Sequence, residues 1–172
     1  KVVHTMFQTF VKRGFSVLRF NFRGVGRSQG RFDNGQGELS DAAAAIDWMQ
    51  THNANASDCW IGGFSFGAWI SMQLMMRRPE INGFISIAPP ASLHDFSFLA
   101  PCPSSGMIIH GSTDDIIPIE SVDKLAQKVS AQKNIKIDYR VIDGGDHFFA
   151  EHIDVLSEHV EDYLDKALKS AA

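Results

Sequence analysis

The chain has 172 residues, with 16 Lys and Arg against 20 Asp and Glu for a formal charge of −4, and is 44% hydrophobic and 21% charged. That length suits one domain spanning residues 1–172 with a core that needs no covalent staples, and the composition is too apolar for disorder. The interspersed acidic charge excludes nucleic acid and anionic membrane as partners, and no apolar run approaches the ~20 residues of a bilayer span.

The two cysteines, Cys59 and Cys102, make no secreted disulfide framework, which points to a reducing cytoplasm. The chain opens on Lys1, and Lys1 to Phe10 lacks the pattern of a signal or transit peptide, so its true start is expected upstream. Val3, Met6, Phe7, Phe10 and Val11 recur at helical spacing, and Lys12, Arg13 and Gly14 suit a helix end near Arg13. Phe15 to Phe22 alternates and is β-rich, predicting a strand. Arg23 to Gly37 reads as a loop. Leu39, Ala42, Ile46 and Met49 mark a second helix with Glu38 and Asp41 in its first turn. Cys59 to Gly63 suits a short strand buried on both faces.

Phe66 to Arg77 is apolar almost all round, predicting a buried helix that Pro79 ends. Gly83 to Ala88 and Gly106 to His110 read as strands, Val122 to Val129 as a helix, Ile135 to Ile142 as the last strand, and Ile153 to Ala167 as a closing amphipathic helix. Such alternation is the signature of an α/β fold with a mostly parallel sheet and helices on both faces.

The chemistry concentrates at strand ends. Gly63-Phe64-Ser65-Phe66-Gly67 is a G-x-S-x-G between a predicted strand and a predicted helix. In that context the serine occupies a strained turn, and the flanking glycines let strand and helix pass without collision. Ser65 Oγ then stands open beside the helix N-terminus, with the Phe66 N–H placed for a developing oxyanion. A serine hydroxyl needs a base, and the base an orienting carboxylate. Asp114 or Asp115 and His147 follow the C-terminal ends of two later strands, where open α/β sheets bind ligands. His110 stands second as a base. A neutral imidazole with an ordinary pKa of ~6.5 implies a rate rising through about pH 6 to 8.

These segments together resemble the α/β-hydrolase superfamily, in particular small bacterial hydrolases similar to the dienelactone hydrolases. Phe20-Asn21-Phe22-Arg23-Gly24-Val25-Gly26-Arg27-Ser28 resembles the R-G-x-G-x-S loop after that family's fourth strand. Gly111 to Pro118 resembles its G-x-x-D-x-x-x-P acid turn, which selects Asp114 over Asp115. The resemblance implies a Ser65-Asp114-His147 catalytic triad in the family's chain order, with half of the oxyanion hole from Phe66. It also implies an N-terminally truncated sheet: the family's first three strands and the loop bearing the second oxyanion donor have no counterpart before Lys1. The third strand lies between the fourth and fifth in that family, so a slot between Phe15–Phe22 and Cys59–Gly63 is expected to stand empty unless those two strands shift together.

Competing motifs are weaker. Gly24-Val25-Gly26 lacks the third glycine of a dinucleotide loop at Gln29. His147, Glu151 and His152 miss the H-x-x-E-H zinc spacing because position 150 is Ala150. Arg23 and Arg27 could hold an anion, though Arg23 reads as an anchor for its loop. The expected protein is a cytoplasmic serine hydrolase without metal or cofactor, acting on a small soluble ester or related acyl compound. Pro89 to Ser104 is too short for the family's lid domain, and Trp69, Phe148 and either Phe96 or Phe98 are expected to line the acyl pocket. A peptidase, an acyltransferase and a non-catalytic binding module of the same fold are the alternatives.

Overall fold

A computed structural model describes residues 1–172. Four strands, β1 (Trp60–Phe64), β2 (Gly83–Ile87), β3 (Gly106–Gly111) and β4 (Ile137–Ile142), form one parallel sheet in chain order. The two central strands are buried at every position between two helical layers, their apolar runs interrupted only by Ser86 and His110. Pleating divides their side chains. Phe84 and Ile108 enter one core with α2 (Gln36–His52), α3 (Phe66–Met75) and α4 (Ile119–Ser130). Ile85, Ile87, Met107 and Ile109 enter the other with α1 (Val2–Val11) and α5 (Ile153–Ala171).

Helix α2 starts at Gln36, three residues ahead of the first periodic apolar position. Gly35 supplies the left-handed turn with φ 96°, and the buried Glu38 carboxylate reaches back to accept the Asp33 N–H at 2.7 Å. Arg23 is committed to its own loop: its backbone N–H and guanidinium donate to both oxygens of Asp41 at 2.8–3.2 Å. That hydrogen bonding holds the Asp41 carboxyl below its usual range.

The first edge of the sheet departs from expectation twice. Residues 15–22 form no strand and do not pair with β1, so the strand expected there is not formed while the expected gap beside it is. Between this segment and β1 runs a trough of about 1110 Å³, lined by residues including Phe15, Val17, Phe22, Ile61, Gly62 and Ile70. A strand is defined by its ladder, and across this gap neither backbone reaches the other. For the same reason β1 is not buried on both faces. It is the edge strand, half-exposed at Trp60, Ile61 and Phe64 and exposed at Gly62.

Candidate active site

Ser65 is the single residue between β1 and α3, and it has φ 53° and ψ −120°. Left-handed φ in a residue with a side chain costs about 1–3 kcal/mol and persists only where surroundings over-determine it. Here the Ser65 N–H donates to the Ile87 carbonyl of the neighbouring strand at 2.9 Å, while the Ser65 carbonyl accepts from Ala68 at 2.9 Å. The two glycines differ in what they do. A Cβ on Gly63 would strike the Gly67 carbonyl and lie 2.6 Å from Ala68 Cα, whereas one on Gly67 would meet nothing within 4 Å. Only Gly63 is sterically required for strand and helix to pass. As the first residue of α3, Phe66 has an N–H with no carbonyl four residues back in its helix.

The loops after β3 and β4 are stitched to each other. Thr113 donates to the Gly145 carbonyl through its N–H at 3.0 Å and its hydroxyl at 3.1 Å, and Gly144 N–H donates to Ser112 Oγ at 2.8 Å. Gly111 is needed at this seam because a Cβ there would strike the Gly145 carbonyl. Asp114 follows, its side chain wholly buried. Its Oδ1 accepts the N–H groups of Ile116 at 2.9 Å and Ile117 at 2.7 Å, and its Oδ2 lies 2.7 Å from His147 Nδ1. His147 is 4% exposed, and its Nε2 lies 3.0 Å from Ser65 Oγ. The carboxylate fixes the tautomer: Nδ1–H donates to Asp114, which leaves the Nε2 lone pair to accept from the serine hydroxyl.

One hydrogen-bonded chain therefore joins Ser65, His147 and Asp114 from three separate strand ends. Asp115 is exposed and outside it. With both ring nitrogens committed, His147 has none left for a metal, and no group of three His, Cys, Asp or Glu is arranged to hold one.

Aromatic rings flank the serine on both sides. Phe64 lies 5.3 Å from the His147 ring and 6.0 Å from Phe148, which is 57% exposed. Phe66 meets Phe22, Phe32 and Trp69 at 5.7–5.8 Å. Trp69 stacks on His94 at 4.0 Å and donates its Nε1–H to the Asp95 carbonyl. Phe96 is buried in the core rather than at this rim, and it stacks on Phe98. Phe64 and Phe32 join this rim without having been expected there; the sequence signal for Phe32 is an isolated large aromatic inside a polar, Gly-rich loop, where it stands 64% exposed.

A family model described as X-Pro dipeptidyl-peptidase (S15 family) matches residues 1–138. RP471 of Rickettsia prowazekii, itself uncharacterized, is 53% identical over 168 residues, covering 95% of this chain and 71% of its own. The chain belongs to the S15 family of the α/β-hydrolase superfamily. Among solved structures, ATU1826 of Agrobacterium tumefaciens is 55% identical with a TM-score of 0.97, over 99% of this hydrolase and 78% of that chain. XC6422 of Xanthomonas campestris, a serine hydrolase without a lid, is 31% identical with a TM-score of 0.87, over 96% and 72%. In the present hydrolase the connection from β2 to β3 holds a single 3₁₀ turn, Ser97–Leu99, and no helix is long and apolar enough to cross a membrane.

Proposed function

We propose that this hydrolase cleaves small soluble esters or related acyl compounds through an acyl-enzyme, with Ser65 as nucleophile, His147 as base and Asp114 as the orienting acid. The observation that carries the reading is the chain of 3.0 Å and 2.7 Å contacts from Ser65 through His147 to Asp114. Ser65 Oγ attacks the carbonyl carbon as its proton passes to His147 Nε2, and the oxyanion takes the Phe66 N–H. The tetrahedral adduct expels the leaving group, which receives the proton from Nε2. Water then gives a proton to Nε2 and attacks the acyl carbon, releasing the acid and restoring Ser65. No step needs a metal or cofactor.

The short β2–β3 connection supports an open site, and the rings of Phe64, Phe148, Phe66 and Trp69 support an apolar acyl group. With both cysteines unpaired, we place the protein in a reducing cytoplasm. The test is a chromogenic ester panel run on wild type and Ser65→Ala, with a fluorophosphonate label on both. Turnover and labelling confined to wild type support the reading; labelling of Ser65→Ala or its unchanged turnover refutes it. The S15 match favours one second reading, a peptidase releasing X-Pro dipeptides. An Xaa-Pro anilide cleaved faster than every ester would select it.

A further inference from the structure

His110 is the one buried histidine that the proposed mechanism leaves unused. It occupies β3 four residues before Asp114 and is 0% exposed. Its Nε2 lies 2.9 Å from the Ile117 carbonyl and 3.4 Å from Asp114 Oδ2. A carbonyl only accepts, so Nε2 carries the hydrogen. Nδ1 is the only buried side-chain nitrogen or oxygen in the chain without a hydrogen-bond partner. A proton there would be a buried donor with nothing to receive it, so the ring is neutral. Burial likewise pushes its pKa below the ordinary 6.5, against the opposing pull of the Ile117 carbonyl and Asp114.

We propose that neutral His110 is a positioning residue for the acid of the Ser65 site, clamping the turn that aims Asp114 at His147. The clamp works through Ile117, whose N–H donates to Asp114 Oδ1 at 2.7 Å while its carbonyl accepts from His110. The Ile117 peptide is thus held at both ends, between β3 and the carboxylate. His110 also contributes its N–H dipole beside Oδ2 without adding a cation that would compete with His147. Neutrality is essential to this role, because a charged His110 would draw the carboxylate away from the base. The charged or titratable groups facing His110 are Asp114, His147 and, from α4, Asp123.

The inference rests on the proposed Ser65 chemistry for one of its readouts and is independent of it for the other. His110→Leu removes the donor at similar volume; His110→Gln returns an N–H at comparable reach. With the ester that wild type turns over best, kcat of His110→Leu falls by about 10- to 100-fold with KM unchanged, the scale of a displaced catalytic group. His110→Gln recovers most of the loss. The second readout is the His147 Nδ1–H proton resonance by NMR, taken in a Ser65→Ala background where no turnover is needed. The 2.7 Å hydrogen bond to Asp114 holds that proton at low field, so loosening Asp114 moves it upfield or loses it to exchange in His110→Leu, and it returns in His110→Gln. An unchanged resonance in His110→Leu overturns the proposal, as does a Gln variant no better than Leu. A wild type inactive on every substrate would refute the hydrolase reading while leaving the Nδ1–H resonance to decide the role of His110. Cooperative thermal unfolding of each variant separates positioning from loss of the fold.

Discussion

Replacing Asp114 by Asn tests the acid assignment through hydrogen-bond polarity alone, because the side chain keeps its size. Oδ1 of Asp114 accepts two backbone N–H groups, from Ile116 and Ile117, so the amide oxygen of Asn is pinned to that side. The amide NH2 then falls where Oδ2 was, facing His147 Nδ1 at 2.7 Å and His110 Nε2 at 3.4 Å. It can only donate. His147 must present a lone pair at Nδ1 and carry its hydrogen on Nε2, toward the serine, where it can no longer accept the Ser65 proton. Flipping the amide rescues His147 but turns NH2 against two N–H donors in a buried turn, so no orientation satisfies both sides. A wrong tautomer of this kind lowers kcat by about 10⁴, or roughly 5.5 kcal/mol of transition-state stabilisation. Asp115→Asn, at an exposed position outside the hydrogen-bonded chain, stays within about twofold. Steady-state kcat and kcat/KM for the two variants on the best ester decide the matter. Asp114→Asn within tenfold of wild type, or Asp115→Asn the worse of the two, would refute the reasoning.

Ser65→Gly abolishes turnover yet relieves the φ 53° backbone, so it unfolds at higher temperature than Ser65→Ala, a gap of about 1 kcal/mol by calorimetry. Gly63→Ala forces a Cβ into the Gly67 backbone and destabilises by about 1–3 kcal/mol, whereas Gly67→Ala, facing open space at the start of α3, is neutral or slightly stabilising in denaturant titrations. The buried, neutral His110 has its pKa lowered on folding, so the unfolded chain binds the extra proton. Stability is therefore unaffected well above pH 6.5 and declines as pH falls through that value, and His110→Gln removes this part of the slope in unfolding measured from pH 7 to 5. The trough beside β1 leaves apolar side chains open to water, so the 172-residue chain binds an environment-sensitive apolar dye in its native state; dye fluorescence no higher than for a well-folded control of equal size would contradict an open trough.

The parts of the fold legible in the sequence are those fixed by local periodicity. The mainly apolar runs of β2 and β3 and the 3.6-residue stripes of α4 and α5 each depend only on which face meets the core. Phe15 to Phe22 alternates like a strand and is none, because alternation marks a segment able to be a strand, while strandhood requires a partner at ladder distance. The alternation near Phe15 carries no information on a partner; only the strand order implied by the family resemblance predicts the gap beside β1. The half-exposed faces of β1 follow from the same missing neighbour. Burial on both sides was inferred from an apolar run that in fact borders the trough.

The site divides along a similar line. Gly63-Phe64-Ser65-Phe66-Gly67 is local, and its conformation follows from a strand meeting a helix with no residue to spare. The partners are legible only as candidates at strand ends. What selects Asp114 over Asp115 in space is a turn whose successive N–H groups, those of Ile116 and Ile117, close on one carboxylate oxygen and leave the other for His147. His110 shows the limit most clearly. In the sequence it is a histidine in an apolar strand, equally consistent with a spare base or a buried core residue, and the spacing of four to Asp114 carries no helical meaning in a strand followed by a turn. The chain doubling back through Gly111 to Ile117 converts that spacing into contact, with a carbonyl on one ring nitrogen and none on the other. Polarity at a single atom then fixes its charge state, and the charge state decides whether it supports the acid or competes for it.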